Sequence, residues 1–440
     1  MTRTGTGAGS GRDVYIVDFR RTAFSRSRPK EPEKDVFNSI RMDEALGMLI
    51  ADMVRRNGID PLDIGDVITG CALQAGENWL YGGRHPILLA GLPWEVPGLA
   101  VDRACASSMN AASIGYMEIA TGNSELVLAG GMEHMTHVPM SDNPHVEANY
   151  KLLLRPEYAK YRMNIGYSMG LTAEELARVS GISKDEMDEW SLRSHTLAAR
   201  SLSDGWFRGE IMPIEVEHQG RRITVDADQS IRPDTTIEQI RSLPPAFRPD
   251  GVITAGNSSP LNAGASLLML ASERAIGKYG LRPLARIRAV GWAGVEPYLM
   301  GKGPVPASRR ALERAGLGVD DIDFWEINEA FAVVTLYAIR ELGIDPERVN
   351  VHGGAIAIGH PLGATGARIV GTLARILRER HGRYGVATLC VGGGQGYAMV
   401  LEAAERGDAN VPSRGIRRDP RPRQGVRPQG VHRGCLAQAR

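Results

Sequence analysis

Residues 45–70 read ALGMLIADMVRRNGIDPLDIGDVITG, and residues 305–328 read VPASRRALERAGLGVDDIDFWEIN. Aligned, they form a repeat. Gly58 falls on Gly316, Ile59 on Leu317, Asp63 on Asp321 and Ile64 on Ile322, at a constant offset of about 258 residues. Each copy has apolar residues at helical spacing, a glycine that stops the helix, and a short apolar run of strand character. One unit used twice predicts two pseudo-symmetric halves. Carried forward, the offset places Cys105 on Gly363, three residues after His360. Two such halves facing each other would bring Cys105 and His360 together.

The chain around the repeat alternates in the same way. DVYIVDFRRT (13–22) reads as a first strand, and RMDEALGMLIADMVRRNG (41–58) as a helix stopped by Gly58. DVITGCAL (66–73) and ELVLAGG (125–131) read as strands, and GLAVDRACASS (98–108) as a strand running into a helix. Strands alternating with helices predict parallel sheet and an α/β fold. The N-terminal half is expected over 13–134 plus 260–282, and the C-terminal half over 283–404. Between them, 135–259 read as an inserted, loop-rich subdomain with helical segments LTAEELARVSG and KDEMDEWSLRSHTLAARSLSDG and a polar stretch HQGRRITVDADQSIRPDTT. Residues 1–12 are expected to be a flexible N-terminus. Residues 405–440, rich in Arg, Pro and Gly, have almost no periodic apolar residues and are expected to be a disordered tail.

Composition narrows the class. A chain of 440 residues can bury a large core. A net charge of +1 with 23% charged residues leaves no nucleic-acid or membrane footprint at whole-chain level. No apolar run reaches the roughly 18 residues of a membrane span. MTRTGTGAGSGRD lacks the apolar stretch of a signal peptide. The four cysteines, 71, 105, 390 and 435, make neither a disulfide framework nor a C-x-x-C zinc pattern, so a reducing, cytoplasmic setting is expected. Cys435 lies in the tail and reads as incidental. Histidines 85, 134, 137, 145, 195, 218, 352 and 381 read as structural or surface groups. His134 and His137 stand i, i+3 without further ligands, and no metal is expected.

Three places carry chemistry. Cys105 lies where a strand meets a helix, whose N-terminal N–H groups and dipole favour thiolate; packing of a turn is the bland alternative. Cys390 ends the strand VATLC before a glycine-rich turn that leaves N–H groups accessible, which suits an oxyanion site. His360 sits in GGAIAIGHPLGATGAR, among the smallest residues available, which let backbone approach backbone or a ligand. Asn328, in NEAF at 328–331, reads either as a helix N-cap or as an amide turned into the same site.

Together these segments resemble the thiolase family of acetyl-CoA acyltransferases. NVHGGAIAIGHPLGATGAR is similar to the family's histidine signature, and CVGGGQG to its C-terminal cysteine signature. RACASSMNA resembles the nucleophile segment and AGNSS the coenzyme A loop; GPVPASRRAL and NEAF also match. The resemblance spans residues 13–404. It implies two mixed-sheet halves in a layered αβαβα arrangement with an inserted loop subdomain. It implies that Cys105 becomes acylated, that His360 takes its proton, and that Cys390 is the second acid/base. Asn328 would hold a water that binds the thioester oxygen with His360. The N–H groups of Cys105 and Gly392 would form a second oxyanion hole. Coenzyme A would lie against the insert, with Arg232 in SIRPDTT near the nucleotide, Ala255 and Ser259 along the pantetheine, and Met169 and Phe331 at the thioester.

The implied reaction is reversible Claisen condensation of acetyl-CoA or thiolysis of 3-ketoacyl-CoA, as in fatty-acid β-oxidation. No permanently bound cofactor is needed, since coenzyme A is a substrate. A homodimer or homotetramer is implied, and some members join a β-oxidation partner subunit. The sequence also departs from the family. Cys105-Ala106-Ser107-Ser108 replaces the common Cys-Gly-Ser-Gly, Ser168 stands where many short-chain members carry histidine, and Ala263 stands where aspartate is common. GENWLYGGRHP (76–86) adds Trp79 and Tyr81 close to the expected dimer face. These put acyl-chain choice in doubt. Two other functions compete with this one. A decarboxylating ketoacyl synthase does not need Cys390. A catalytically silent acyl-CoA or lipid-binding paralogue could lose Cys105, His360 or Cys390, and all three are present.

Overall fold

The computed structural model describes residues 11–141 and 143–404. The tail with Cys435, and the expected flexible N-terminus apart from its last two residues, lie outside the described residues. Arg12 is not loose: its N–H bonds Ala120 O at 3.1 Å.

Nine strands follow one path: β1 (Val14–Arg21), β2 (Asp66–Gly70), β3 (Gly98–Val101), β4 (Leu126–His134), β5 (Asn262–Ser272), β6 (Ala285–Gly294), β7 (Phe324–Ile327), β8 (Tyr384–Val391) and β9 (Gln395–Ala403). Their order is β7-β8-β9-β6-β1-β5-β4-β2-β3. The repeat is visible in this order. One half runs β3-β2-β4-β5-β1. The other runs from a bridge at Val349 through β7-β8-β9-β6. The offset of about 258 carries Asp66, first in β2, onto Phe324, first in β7, and Leu126 onto Tyr384. Val67 pairs in parallel with Gly98, and its equivalent Trp325 bridges in parallel to Val349. Among the described residues the sheets of the two halves pair at Tyr15 with Arg286 and Ile16 with Ala285.

The main helices are α1 (Met42–Arg56), α2 (Ser107–Ala120), α3 (Met169–Ser180), α4 (Lys184–Ser203), α5 (Pro304–Ala315), α6 (Ala332–Leu342) and α7 (Leu362–Arg380). Three cores give the layering. α1 packs its Leu46, Leu49 and Ile50 on the outer face of the first half. α2 and α7 share a central core with strands of both halves, through Met109, Ile369 and Leu373. α5 and α6 cover the outer face of the second half through Leu312 and Val334. The order is αβαβα. Alternation within single strands makes this possible: Leu126 and Leu128 face the outer core, and Val127 and Ala129 the central one.

Two expectations change. The insert is less loop-rich than read. Besides α3 and α4 it holds an antiparallel hairpin, Ile214–His218 with Arg221–Val225, whose second strand lies inside the stretch that reads as polar. Its buried Ile214, Val216 and Val225 alternate with exposed charges, and the charges mask the period. The strand read over 66–73 stops at Gly70, because Ala72 and Leu73 turn their N–H groups onto the Glu133 carboxylate.

Candidate active site

Cys105 sits in a one-turn 3-10 segment, Ala104–Ala106, between β3 and α2. Ala104 holds φ at +43°, a left-handed conformation uncommon for a residue with a Cβ. Local bonds enforce it. Ala104 N–H donates to Asp102 Oδ1 at 2.6 Å, Arg103 N–H to Ser107 Oγ at 2.9 Å, and the Ser107 hydroxyl to Ala104 O at 2.7 Å. The result aims the thiol inward, where the N–H groups of Gly392 and of Cys105 itself reach its sulfur. Burial pushes this thiol up to about 11, with only partial relief from those N–H groups. The expectation that the helix end favours thiolate is therefore corrected for the free enzyme: desolvation outweighs it.

Cys390 lies near the end of β8, fully buried, and burial followed by the neighbouring Cys105 pushes its thiol well above the ordinary range. Gly392 opens the turn between β8 and β9. A Cβ there would stand 3.6 Å from Ala104 Cβ and 3.8 Å from Met169 Sδ. The structure thus gathers Cys105, Cys390, Gly392 and Met169 in one place.

His360 is held from three sides. Its N–H donates to Asn262 Oδ1 at 2.7 Å. Its Nδ1 lies 2.6 Å from Thr365 Oγ1, and that hydroxyl spends its single hydrogen on Pro361 O at 2.8 Å. Thr365 must therefore accept, so Nδ1 carries the proton. Nε2 is left with its lone pair, facing Asn328 Nδ2 at 3.4 Å. Burial, and then Arg368, pushes His360 down to about 3, so the ring is neutral. The group is a neutral base with a defined open nitrogen. Among the described residues no hydrogen bond joins His360 to Cys105. Asn328 is not an N-cap, since Phe331 holds that position on α6. Its N–H bonds Thr388 O at 3.0 Å, and its buried Oδ1 has no partner.

The glycines around His360 make room for protein groups. A Cβ on Gly354 would stand 2.2 Å from the Glu329 carboxyl carbon, on Gly363 2.1 Å from Met132 O, and on Gly366 2.3 Å from Met109 N. Small residues here let α7 and its leading loop press against the other half.

A cavity of about 370 Å³ lies between the insert and the histidine loop, lined by Arg26, His195, Arg232, Ala255, Ser258 and Ile356 among others. It contains two of the expected coenzyme contacts, Arg232 and Ala255. Ser259 is not among its lining residues; its N–H and hydroxyl both donate to Ala330 O, at 3.0 and 3.1 Å. Phe331 lies nearby instead, bridged through its backbone to Ser258 and edge-to-face with Phe247 at 6.1 Å. Sequence reading missed Arg26 and filed His195 as structural. Burial and Arg232 push His195 down to about 4, and its Nδ1 accepts from Arg232 N–H at 3.3 Å. A larger cleft of about 1120 Å³, lined by Asp18, Arg56, Arg282 and Arg378 among others, contains none of the expected site residues.

His134 and His137 do have a third group beside them, contrary to the sequence reading: Glu77, at 2.7 Å from His137 Nδ1. The two rings stack at 3.6 Å and 9°, so their lone pairs run parallel rather than converge. His137 donates to Glu77 and to Asn38 O at 3.1 Å and is pushed up, an ion pair bracing the loop.

Residues 14–274 match the family profile described as thiolase, N-terminal domain, and residues 281–403 the thiolase C-terminal domain. A 3-ketoacyl-CoA thiolase of Marinobacter nauticus is 43% identical over 397 residues, covering 89% of this chain and 98% of that protein. One from Vibrio vulnificus is 41% identical, covering 89% and 99%. Among solved structures, human mitochondrial 3-ketoacyl-CoA thiolase matches with a TM-score of 0.79 at 35% identity, covering 89% of this chain and 99% of that one. The Bacillus anthracis acetyl-CoA acetyltransferase matches with 0.79 at 36%, covering 90% and 100%.

Proposed function

The chain belongs to the thiolase family, and from that premise we propose which of its residues carry out the chemistry. The protein is an acyltransferase that works on acyl-CoA substrates by thiolysis and its reverse, Claisen condensation. In thiolysis, His360 Nε2 takes the Cys105 proton and the thiolate attacks the 3-keto carbon. The tetrahedral oxyanion is held by the N–H groups of Cys105 and Gly392. The C2–C3 bond then breaks. The acetyl-CoA enolate takes a proton from Cys390, its oxygen held by protonated His360 Nε2 and a water on Asn328. Coenzyme A, losing its proton to the Cys390 thiolate, attacks the acyl-enzyme, and the Cys105 thiolate that leaves takes its proton back from His360. The observation that carries this reading is the contact of His360 Nδ1 with a Thr365 hydroxyl that already donates to Pro361 O, from which Nε2 follows as the acceptor.

The insert, 135–259, forms one wall for coenzyme A, with the nucleotide at Arg232 and the pantetheine passing Ala255 and Ser258 toward Met169 and Phe331. Arg26 and His195 join Arg232 there. The preferred direction is thiolysis of 3-ketoacyl-CoA in fatty-acid β-oxidation. The names of the relatives at 41–43% identity support this, as does Ser168 in place of a short-chain histidine. No permanent cofactor is required.

A second copy of the chain is the partner proposed for the sheet edge. β3 ends the sheet, and an unpaired edge strand is a template for pairing. Trp79, Tyr81, Leu88, Leu89 and Leu99 are exposed around it, and Trp94 is 79% exposed. No described helix is long and apolar enough to cross a membrane, and sparing use of cysteine supports the cytoplasm.

Steady-state thiolysis with coenzyme A tests the reading, comparing acetoacetyl-CoA with a long-chain 3-ketoacyl-CoA in wild type and Cys105→Ala. Turnover favouring the longer substrate and lost in the variant is expected. Turnover of acetoacetyl-CoA alone would reassign the enzyme as a short-chain acetyltransferase, and a folded, inactive wild type would favour the silent binding paralogue.

A further inference from the structure

Glu133 on β4 is fully buried and has no part in the steps above. Four donors converge on its carboxylate: the N–H groups of Ala72 at 2.9 Å, Leu73 at 3.1 Å and Gly363 at 2.9 Å, and Asn78 Nδ2 at 3.1 Å. The Cys71 thiol lies at 3.6 Å. Burial pushes this carboxyl up to about 7 although the N–H donors pull it down; N–H groups at both oxygens, one of them from the first turn of α7, are the geometry that favours its carboxylate form.

The repeat gives this arrangement a meaning. It makes Gly363 the counterpart of Cys105. At one turn, the Cys105 and Gly392 N–H groups face a thiol where an oxyanion can develop. At its counterpart, the Gly363 N–H faces the Glu133 carboxylate. That second turn has no room for a side chain, because a Cβ on Gly363 would stand 2.1 Å from Met132 O. Only Pro361 and Leu362 separate Gly363 from His360.

We propose that Glu133 is a positioning residue for His360: its carboxylate fills the second, non-reacting copy of the oxyanion turn and fixes the start of α7, which aims Nε2. Asn262 holds His360 N–H, and Glu329 holds Ile356 N–H at 3.1 Å, so Glu133 completes a set of three anchors along one loop. The proposal rests on His360 being the thiolase base.

The full chain is assayed for thiolysis as wild type, Glu133→Ala and Glu133→Gln, with and without sodium formate. Glu133→Ala is expected to lose kcat by about tenfold or more, as misplacement of a catalytic group does. The KM for coenzyme A should stay unchanged, because the cavity for that substrate lies elsewhere. Formate should restore much of kcat by occupying the vacated carboxylate position. Glu133→Gln should also lose kcat and gain nothing from formate, because its amide fills the space and turns an NH₂ onto N–H donors. Wild-type kcat in either folded variant, a kcat loss matched by a rise in KM, or a folded Glu133→Ala indifferent to formate would each overturn the proposal. If Glu133→Ala does not fold by circular dichroism, Glu133→Gln decides alone. A wild type without turnover would instead overturn the thiolase reading itself, and with it the role given to His360.

Discussion

The proposed catalytic centre and the proposed coenzyme cavity are built in opposite ways. Around Cys105 the thiols and the imidazole are buried and most polar groups are tied to another: Thr365 fixes His360, Asn262 fixes its backbone, and Ser107 and the exposed Asp102 fix the turn. Around Arg232 the walls are part-exposed, basic and less constrained. The difference teaches where energy differences lie. A dry, fixed centre concentrates transition-state stabilisation in a few groups, whereas an open, hydrated cavity spreads binding over many weak ones. Substitutions in the centre should therefore strike kcat hard, and those in the cavity should strike KM gently.

The sharpest test of that contrast is Cys105→Ala. It should abolish acyl-enzyme formation and lower kcat for thiolysis by at least about 10⁴-fold, while coenzyme A still binds. Detectable acyl-enzyme by intact mass spectrometry in this variant would mean that another residue carries the acyl group. Next is His360→Asn, expected to cost about 10²- to 10⁴-fold in kcat. It has a pH signature. Burial raises the Cys105 thiol from 9.0 to about 11 in the free enzyme. Alkylation by iodoacetamide without substrate should thus rise only toward pH 11, while turnover proceeds near neutrality because His360 takes the proton within the complex. The sign for stability follows. The folded thiol stays protonated where the unfolded one has ionised, so this group's stabilisation is lost as pH rises from 9 toward 11. An alkylation midpoint near 7 in the free enzyme would break this account.

Two glycines in the same centre give an intermediate effect. Gly363→Ala puts a Cβ at 2.1 Å from Met132 O and should cost about 1–3 kcal/mol of stability, read as a lower melting temperature. Gly392→Ala meets only ordinary contacts at 3.6 and 3.8 Å and should leave the melting temperature unchanged. Equal losses would show that the tight seam between halves is not what Gly363 secures.

The candidate centre stands out in the sequence because its residues lie in short glycine-rich turns and at positions the repeat relates. The offset alone carried β2 onto β7 and β4 onto β8, and placed Cys105 opposite Gly363. Sequence cannot weigh desolvation against a helix end, so it leaves thiolate and buried thiol both open at Cys105, where burial wins in the free enzyme. The cavity was less legible for a physical reason: its walls come from segments far apart in the chain. Arg26 follows β1, His195 sits on α4 and Arg232 lies in the insert. Nothing in the spacing joins them. His195 on an apolar helix face reads as packing, and only its proximity to Arg232 gives it away. Glu133 and Glu77 were missed similarly, since what they do depends on loops folded back from elsewhere.

The cavity yields the smallest expected effect. Arg232 is exposed, so its attraction for a nucleotide phosphate is largely offset by hydration, at about 1 kcal/mol or less. Arg232→Ala should raise the KM for coenzyme A by no more than about fivefold and leave kcat alone. With pantetheine as the acyl acceptor in place of coenzyme A, the same substitution should have no effect, because the anionic nucleotide is gone. A kcat loss that persists with pantetheine would mean that Arg232 acts on the centre, through His195 and the insert, and that fixed centre and open cavity are one mechanical unit rather than two.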